Sequence, residues 1–259
     1  MTEFVNKLFN VEGKVAALTG AGGHLIGALS HGLAKAGVKV AVMDLRPEKA
    51  ERVSAEIKDA GGEAIAVPLD VSSKADNEKA LAAVLKAYGD LDYVVLGAGT
   101  NCPTPFFELT TEEWQGVFNS QLLGTMLGAQ VFGKYLVDKK RGSIVTISSA
   151  SAGPPLSKVF PYSAAKAGIK NLTQNLGREW ALHNVRVNAI RPGFFPTEWN
   201  RKNFISAERE AQILNHTAMR RFGDPDELVG ALIWLLSDAS GFVTGAEIVV
   251  DGGFSCMTI

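Results

Sequence analysis

Apolar and polar positions follow two rhythms along this chain. Short apolar runs end in glycine or aspartate, and amphipathic stretches of ten or more residues follow them. The runs predict buried strands at 14–19, 38–43, 64–69, 93–96, 143–148, 186–190 and 247–250. The stretches predict helices at 25–36, 47–60, 75–88, 111–138, 162–182 and 226–237. The second opens on Pro47 and closes on Gly61-Gly62; Thr110 or Thr111 caps the fourth. Strands alternating with helices mean βαβ units and a parallel sheet covered on both faces. The predicted fold is α/β, a doubly wound parallel sheet of Rossmann type, in one domain over residues 1–259.

Composition adds limits. The 259 residues carry a net charge of -1, which argues against nucleic acid as a partner. No apolar run reaches the length of a membrane span, and residues 1–10 do not read as a signal peptide. Two cysteines do not make a disulfide framework, so a cytoplasmic setting is expected. No ligand spacing for a metal is seen, and His216 reads as a packing or capping residue.

Candidate chemistry sits at the ends of the predicted strands. Thr19-Gly20-Ala21-Gly22-Gly23 separates the first strand from the first helix, which begins at Leu25. Glycines there let a backbone approach a pyrophosphate at a helix N-terminus. Asp44 ends the second strand, 21 residues after Gly23, where a carboxylate binds an adenosine ribose and repels a 2′-phosphate. That favours NAD over NADP, although Arg46 keeps NADP open. Asp70 ends the third strand, near the expected adenine. Tyr162 and Lys166 lie at i and i+4, one above the other on a helix. A nearby ammonium favours phenolate and brings a phenol toward working range. Ser149, thirteen positions earlier, is placed to polarise the oxygen that Tyr162 protonates. After the sixth strand, residues 194–221 form a predicted flap over the substrate. Arg201 is its candidate for a carboxylate, with Lys158 and Asn200 for carboxylate or hydroxyls. Trp199 and Phe204 suggest a partly apolar flap.

As an ordered set, these residues resemble the short-chain dehydrogenase/reductase family, from about Val11 to Phe254. The matching elements are Thr19-Gly20, Asp70-Val71, Ala98-Gly99, Ile147-Ser148-Ser149, Tyr162 with Lys166, Val187-Asn188-Ala189-Ile190, Pro192-Gly193 with Thr197, and Val250-Asp251-Gly252-Gly253. The resemblance implies that Ser149 orients substrate and Tyr162 is the general acid/base. It implies that Lys166 lowers the tyrosine pKa and holds the nicotinamide ribose. Gly20, Gly23, Leu25, Asp44, Asp70, Val71, Ala98, Gly99, Pro192, Gly193 and Thr197 would line the cofactor.

Three departures stand out. His24 and Ile26 occupy the last two glycine positions of the family turn TGxxxGxG. The family's Asn-Asn-Ala-Gly reads Leu96-Gly97-Ala98-Gly99. Gln121 stands where the family has an asparagine that bends its helix and holds a relay water. A narrower resemblance, to a subgroup identified as D-mannonate oxidoreductases (fructuronate reductases), rests on 156–159, 192–201, 216–223 and the Gly22-Gly23 turn. The expected activity is NAD(H)-dependent interconversion of a ketone and a secondary alcohol on a small sugar acid. Gluconate-type acids, neutral polyols and 3-oxoacyl groups are the alternative substrates, and a catalytically impaired NAD-binding module is the alternative of another class. Relatives form tetramers through helices 111–138 and 163–182 and the last strand, so a homotetramer is expected.

Overall fold

The computed structural model describes all residues except 1, 155, 198–200, 203, 204 and 259. Seven strands form one parallel sheet: β1 (Val15–Thr19), β2 (Lys39–Asp44), β3 (Ala64–Pro68), β4 (Tyr93–Leu96), β5 (Gly142–Ile147), β6 (Val185–Pro192) and β7 (Glu247–Val250). Their order is β3-β2-β1-β4-β5-β6-β7. Direction of winding reverses between β1 and β4, so a crevice opens at their carboxyl ends, where ligands bind in such sheets. Thr19 ties the two strand ends together there: its Oγ1 accepts from the N–H groups of Gly97 and Ala98 at 3.1 and 3.3 Å.

The central strands are buried on both faces, and alternate residues feed opposite cores. Ala16, Leu18, Val40, Val42, Val95, Val145 and Ile190 face one layer. There they meet α2 (His24–Lys35), α3 (Pro47–Asp59) and the helix Val229–Leu236, here α9. Ala17, Ala41, Met43, Val94, Leu96, Ile144 and Val187 face the other layer, against α4 (Lys74–Tyr88) and α6 (Gly124–Lys139). Predicted capping holds at Thr110, which forms a reciprocal capping box with Glu113 ahead of α5 (Thr111–Phe118).

The fold adds detail to the sequence expectation. The helix expected at 111–138 runs unbroken to Lys139, with a π-helical turn, Asn119–Leu123, between its α5 and α6 parts. The element expected at 226–237 starts as a 3-10 turn, Pro225–Leu228, before α9. Among the described residues, α1 (Glu3–Phe9) and α8 (Ala207–Asn215) were not expected; α1 buries no residue and α8 only Ile213. The remaining long helix is α7 (Phe160–Trp180), which carries Tyr162 and Lys166. Among the described residues, no helix is long and apolar enough to cross a membrane.

Candidate active site

The carboxyl ends of β1, β2, β4, β5 and β6 gather most of the sequence-predicted residues along one edge. Beyond β1, Gly20 adopts φ +74°, and a Cβ there would lie 2.7 Å from the Ala98 Cα. Only glycine fits that approach. Gly22 donates its N–H to Asp44 Oδ2 at 3.1 Å, and Arg46 donates its N–H to Oδ1 at 3.0 Å. Asp44 is buried at 6% exposure, locked to the glycine turn, with acceptor capacity left on both oxygens. The Arg46 guanidinium lies 3.7 Å from Oδ1. Gly23 begins α2 without a side-chain cap, so the first-turn N–H groups face outward unclaimed by a side chain. Leu25 packs partly buried against the core, and His24 is exposed. Glycine at 20 and 22, the uncapped helix start and Asp44 fit a dinucleotide.

Two of the departures are one feature. Ile26 is buried, and a Cβ on Gly97 would come within 2.4 Å of its Cδ1. The side chain added at 26 occupies the space vacated at 97.

Asp70 has a more local role on this edge. Its Oδ1 accepts from Ser72 N–H and Oγ at 2.9 and 2.6 Å, and Val71 packs against Gly124. Gly193 approaches the end of β7 so closely that a Cβ would sit 2.7 Å from Asp251 Cα. Thr197 follows, partly buried.

Beyond β5, Ser149 is in extended conformation and starts a 3-10 turn, Ala150–Ala152. Its Oγ accepts from Ser151 N–H and Ser151 Oγ, both at 3.1 Å. With both lone pairs engaged, the Ser149 hydroxyl is left to act as a donor. Its interaction with the Tyr162 hydroxyl favours phenolate. Ser151, buried at 4%, was missed by sequence reasoning. A serine two residues beyond another is too common a pattern to signal this role.

Lys166 lies on the next turn of α7, its Nζ 5.4 Å from the Tyr162 ring centroid. It is buried and donates to the Ile147 carbonyl oxygen at 2.6 Å. Burial pushes its pKa down to about 7. Burial also pushes the Tyr162 phenol up, outweighing the Ser149 hydrogen bond. In the low-dielectric interior burial works against the charged form of each group.

Gln121 occupies the π-helical turn at 3% exposure, its amide packed on Gly99. Its Nε2 donates to the Thr100 carbonyl oxygen at 2.9 Å. Its main-chain carbonyl oxygen already accepts from Thr125 Oγ1 at 2.7 Å. Its Oε1 is buried and has no protein partner. Asn119 lies on another face and accepts from Gln115.

The substrate candidates separate. Asn200, with Trp199 and Phe204, lies outside the described residues. Arg201 is not aimed at the crevice as a free cation: Nη2 pairs with Glu210 Oε1 at 2.8 Å and the guanidinium stacks over Phe222. Lys158 is exposed, in left-handed conformation at φ +62°, on the connection from β5 to α7. Next to it, Ser157 accepts from Arg209 Nη1 of α8 at 2.8 Å. Arg209, overlooked in the sequence, joins the segment after β6 to the loop between Ser149 and Tyr162. Across the same loop, Phe160 meets Phe106 edge-on at 5.2 Å. His216 ends α8 and packs edge-on against Phe254, as a packing or capping residue would.

Comparison with known proteins agrees with this geometry. A family described as enoyl-(acyl carrier protein) reductase matches residues 26–255. The uncharacterized oxidoreductase UxuB of Bacillus subtilis (strain 168) is 40% identical, over 95% of this chain and 96% of its own. The 5-keto-D-gluconate 5-reductase of Escherichia coli (strain K12) is 33% identical, over 96% and 98%. A solved structure of a D-mannonate oxidoreductase from Haemophilus influenza, so named provisionally and holding NAD, superposes with TM-score 0.91. It is 36% identical, over 96% of this chain and 97% of that one. With the ordered motifs, the parallel sheet and the Ser149–Tyr162–Lys166 grouping in place, the chain belongs to the short-chain dehydrogenase/reductase family and is an oxidoreductase.

Proposed function

We propose that this protein interconverts a ketone and a secondary alcohol on a small sugar acid with NAD(H), D-fructuronate and D-mannonate being the pair favoured. The observation that carries the reading is the hydroxyl order Ser151 to Ser149 to Tyr162. It leaves Ser149 a donor, while burial keeps Tyr162 protonated at neutral pH. Tyr162 gives its proton to the carbonyl oxygen during reduction and removes it during oxidation. Ser149 shares that oxygen and orients it. The bound nicotinamide supplies or accepts the hydride. Lys166 holds the nicotinamide ribose, Pro192, Gly193 and Thr197 line the carboxamide, and Asp44 binds the adenosine ribose. Arg46, drawn toward Asp44, is poorly placed to welcome a 2′-phosphate, which favours NAD. The NAD described in the Haemophilus structure supports the same choice.

Gln121 takes the place of the relay asparagine through its side chain. Its main-chain oxygen is engaged by Thr125, whereas Oε1 is a free buried acceptor suited to a water. If the relay works this way, Gln121→Ala changes the pH profile of kcat; an unchanged profile removes Gln121 from the proton path.

A carboxylate on the substrate would be met by Lys158, on the loop ahead of Tyr162, and by Arg209 of the 194–221 flap, which bonds Ser157 next to it. Phe106 and Phe160 offer an apolar wall for a sugar's C–H face. The names of the Escherichia and Haemophilus relatives, both for keto or hydroxy sugar acids, support that class. A gluconate-type acid is the second reading, because the same cations serve it. As in relatives of the family, a homotetramer through α5, α6, α7 and β7 is the proposed assembly. The test is NADH oxidation at 340 nm against fructuronate, 5-keto-gluconate, neutral ketoses and 3-oxoacyl esters, repeated with NADPH. Turnover of keto acids with NADH supports the reading. Turnover of neutral ketoses alone discards the carboxylate subsite, and bound NAD without any turnover moves the impaired binding module to the front.

A further inference from the structure

Two charged groups outside the proton path, buried Arg191 and largely covered Glu247, flank Ser149. Arg191, at the end of β6, is 8% exposed. Its Nη2 donates to the carbonyl oxygen of Ala150 at 3.1 Å. Gly153 closes the same turn, and a Cβ there would lie 3.0 Å from Nη2, so the turn is moulded onto the guanidinium. Glu247, at the start of β7, faces Arg191 Nη1 with Oε2 at 3.5 Å. Its Oε1 accepts from Ser148 Oγ at 2.6 Å. The residues immediately before and after Ser149 are therefore both tied to this pair. Oε2 also lies 3.4 Å from Lys170 Nζ, one helical turn beyond Lys166 on α7. One carboxylate thus links the strand end that carries Ser149 to the helix that carries Tyr162. A buried ion pair adds little net stability over apolar residues of the same volume, so its use here calls for a geometric explanation.

We propose that Arg191 and Glu247 are positioning residues that set Ser149 against Tyr162. The proposal rests on the reading of Ser149 as the residue that orients the reacting oxygen. It is tested in the full-length enzyme by reduction of D-fructuronate with NADH. Glu247→Gln keeps an oxygen for Ser148 but removes the charge facing Arg191 and Lys170. Arg191→Lys keeps the charge but loses the fork that spans Glu247 and Ala150. Each variant is expected to lower kcat on the order of 10- to 100-fold, as sub-ångström misplacement does. KM for NADH should stay within about twofold, because the dinucleotide turn is untouched. Placed on Ser149→Ala, either variant should cost less than about twofold more, because the group it positions is gone. Equal losses with and without Ser149, or unchanged kcat in both variants, overturn the proposal. If Ser149→Ala alone keeps full kcat, the reading of Ser149 falls first, and the positioning role with it. Lys170 is more exposed than the pair, so Lys170→Met decides the matter if a buried variant does not fold: a loss confined to kcat upholds the linkage, and none overturns it.

Discussion

The β5–α7 region and the segment after β6 face each other across the same crevice, but they are built differently. Ser149, Ser151, Lys166 and Gln121 are held by short hydrogen bonds inside the protein, and the last three are nearly inaccessible. Arg201 and Lys158 are exposed and Arg209 is half-buried; Arg201 is held by a surface ion pair and Arg209 by hydrogen bonds to Ser157. Buried, hydrogen-bonded groups hold one geometry; exposed cations rearrange at little cost. On the proposed reading, chemistry is fixed and specificity adjustable, which lets one fold serve many substrates.

The largest effect expected from this contrast is at the fixed side. Tyr162→Phe removes the proton donor while leaving the helix intact. It should lower kcat by about 10³-fold or more, within the usual range for general acid catalysis. NADH affinity, measured by fluorescence titration, should change by less than about twofold. Retained turnover would break the comparison, because the buried hydroxyl order would then have no chemical consequence.

On the adjustable side the expected losses are smaller and depend on substrate. Arg209→Met and Lys158→Met should each raise KM for a keto acid by roughly 10-fold, the scale of one charge-assisted hydrogen bond. KM for a neutral ketose should stay put. Arg201→Met should act less, because Glu210 and Phe222 already engage that guanidinium. Equal losses on charged and neutral substrates would mean that these cations shape the flap rather than read a carboxylate.

The same division explains how far the sequence was legible. The strands, the glycine turn and Asp44, and the Ser149, Tyr162 and Lys166 set follow from short-range patterns, in which local spacing fixes the geometry. Arg191, Glu247 and Ser148 lie far apart in sequence and meet only when β5, β6 and β7 align. No local pattern announces such a meeting. The π-helical turn at Gln121 carries no proline, and apolar spacing alone does not mark it. The spacing of Arg201 gives no sign of its pairing with Glu210. The i,i+4 spacing of Tyr162 and Lys166 gives no sign of their burial, and desolvation works against the charge on both groups.

That desolvation is measurable as stability. In the cofactor-free protein Lys166 titrates near 7, against about 10.5 when unfolded. Between those values the unfolded chain binds more protons, so stability rises with pH from about 7 upward. The contribution has a slope of at most about 1.4 kcal/mol per pH unit. Urea unfolding between pH 7 and 9.5 should therefore show a steeper rise for the native protein than for Lys166→Met. Parallel curves would mean that Lys166 keeps its charge in the folded state, restoring the simple picture of an ammonium acting on phenolate.

The smallest effect concerns the compensated pair beneath the dinucleotide turn. A methyl group at 97 would press on Ile26 Cδ1 at 2.4 Å and Ile147 Cγ1 at 3.2 Å. Gly97→Ala should then cost about 1–3 kcal/mol, the usual price of overpacking. Ile26→Ala alone leaves a cavity and should cost about 2–5 kcal/mol. Together they should cost less than the sum, with a coupling of about 1 kcal/mol, because the methyl at 97 fills space the isoleucine left. Urea unfolding of the three variants reads this directly. Strict additivity would make Ile26 and Gly97 two unrelated departures from the family pattern. Coupling would show the turn rebuilt as a unit, its bulk moved from one side of the α2–β4 contact to the other while the backbone that faces the cofactor kept its path.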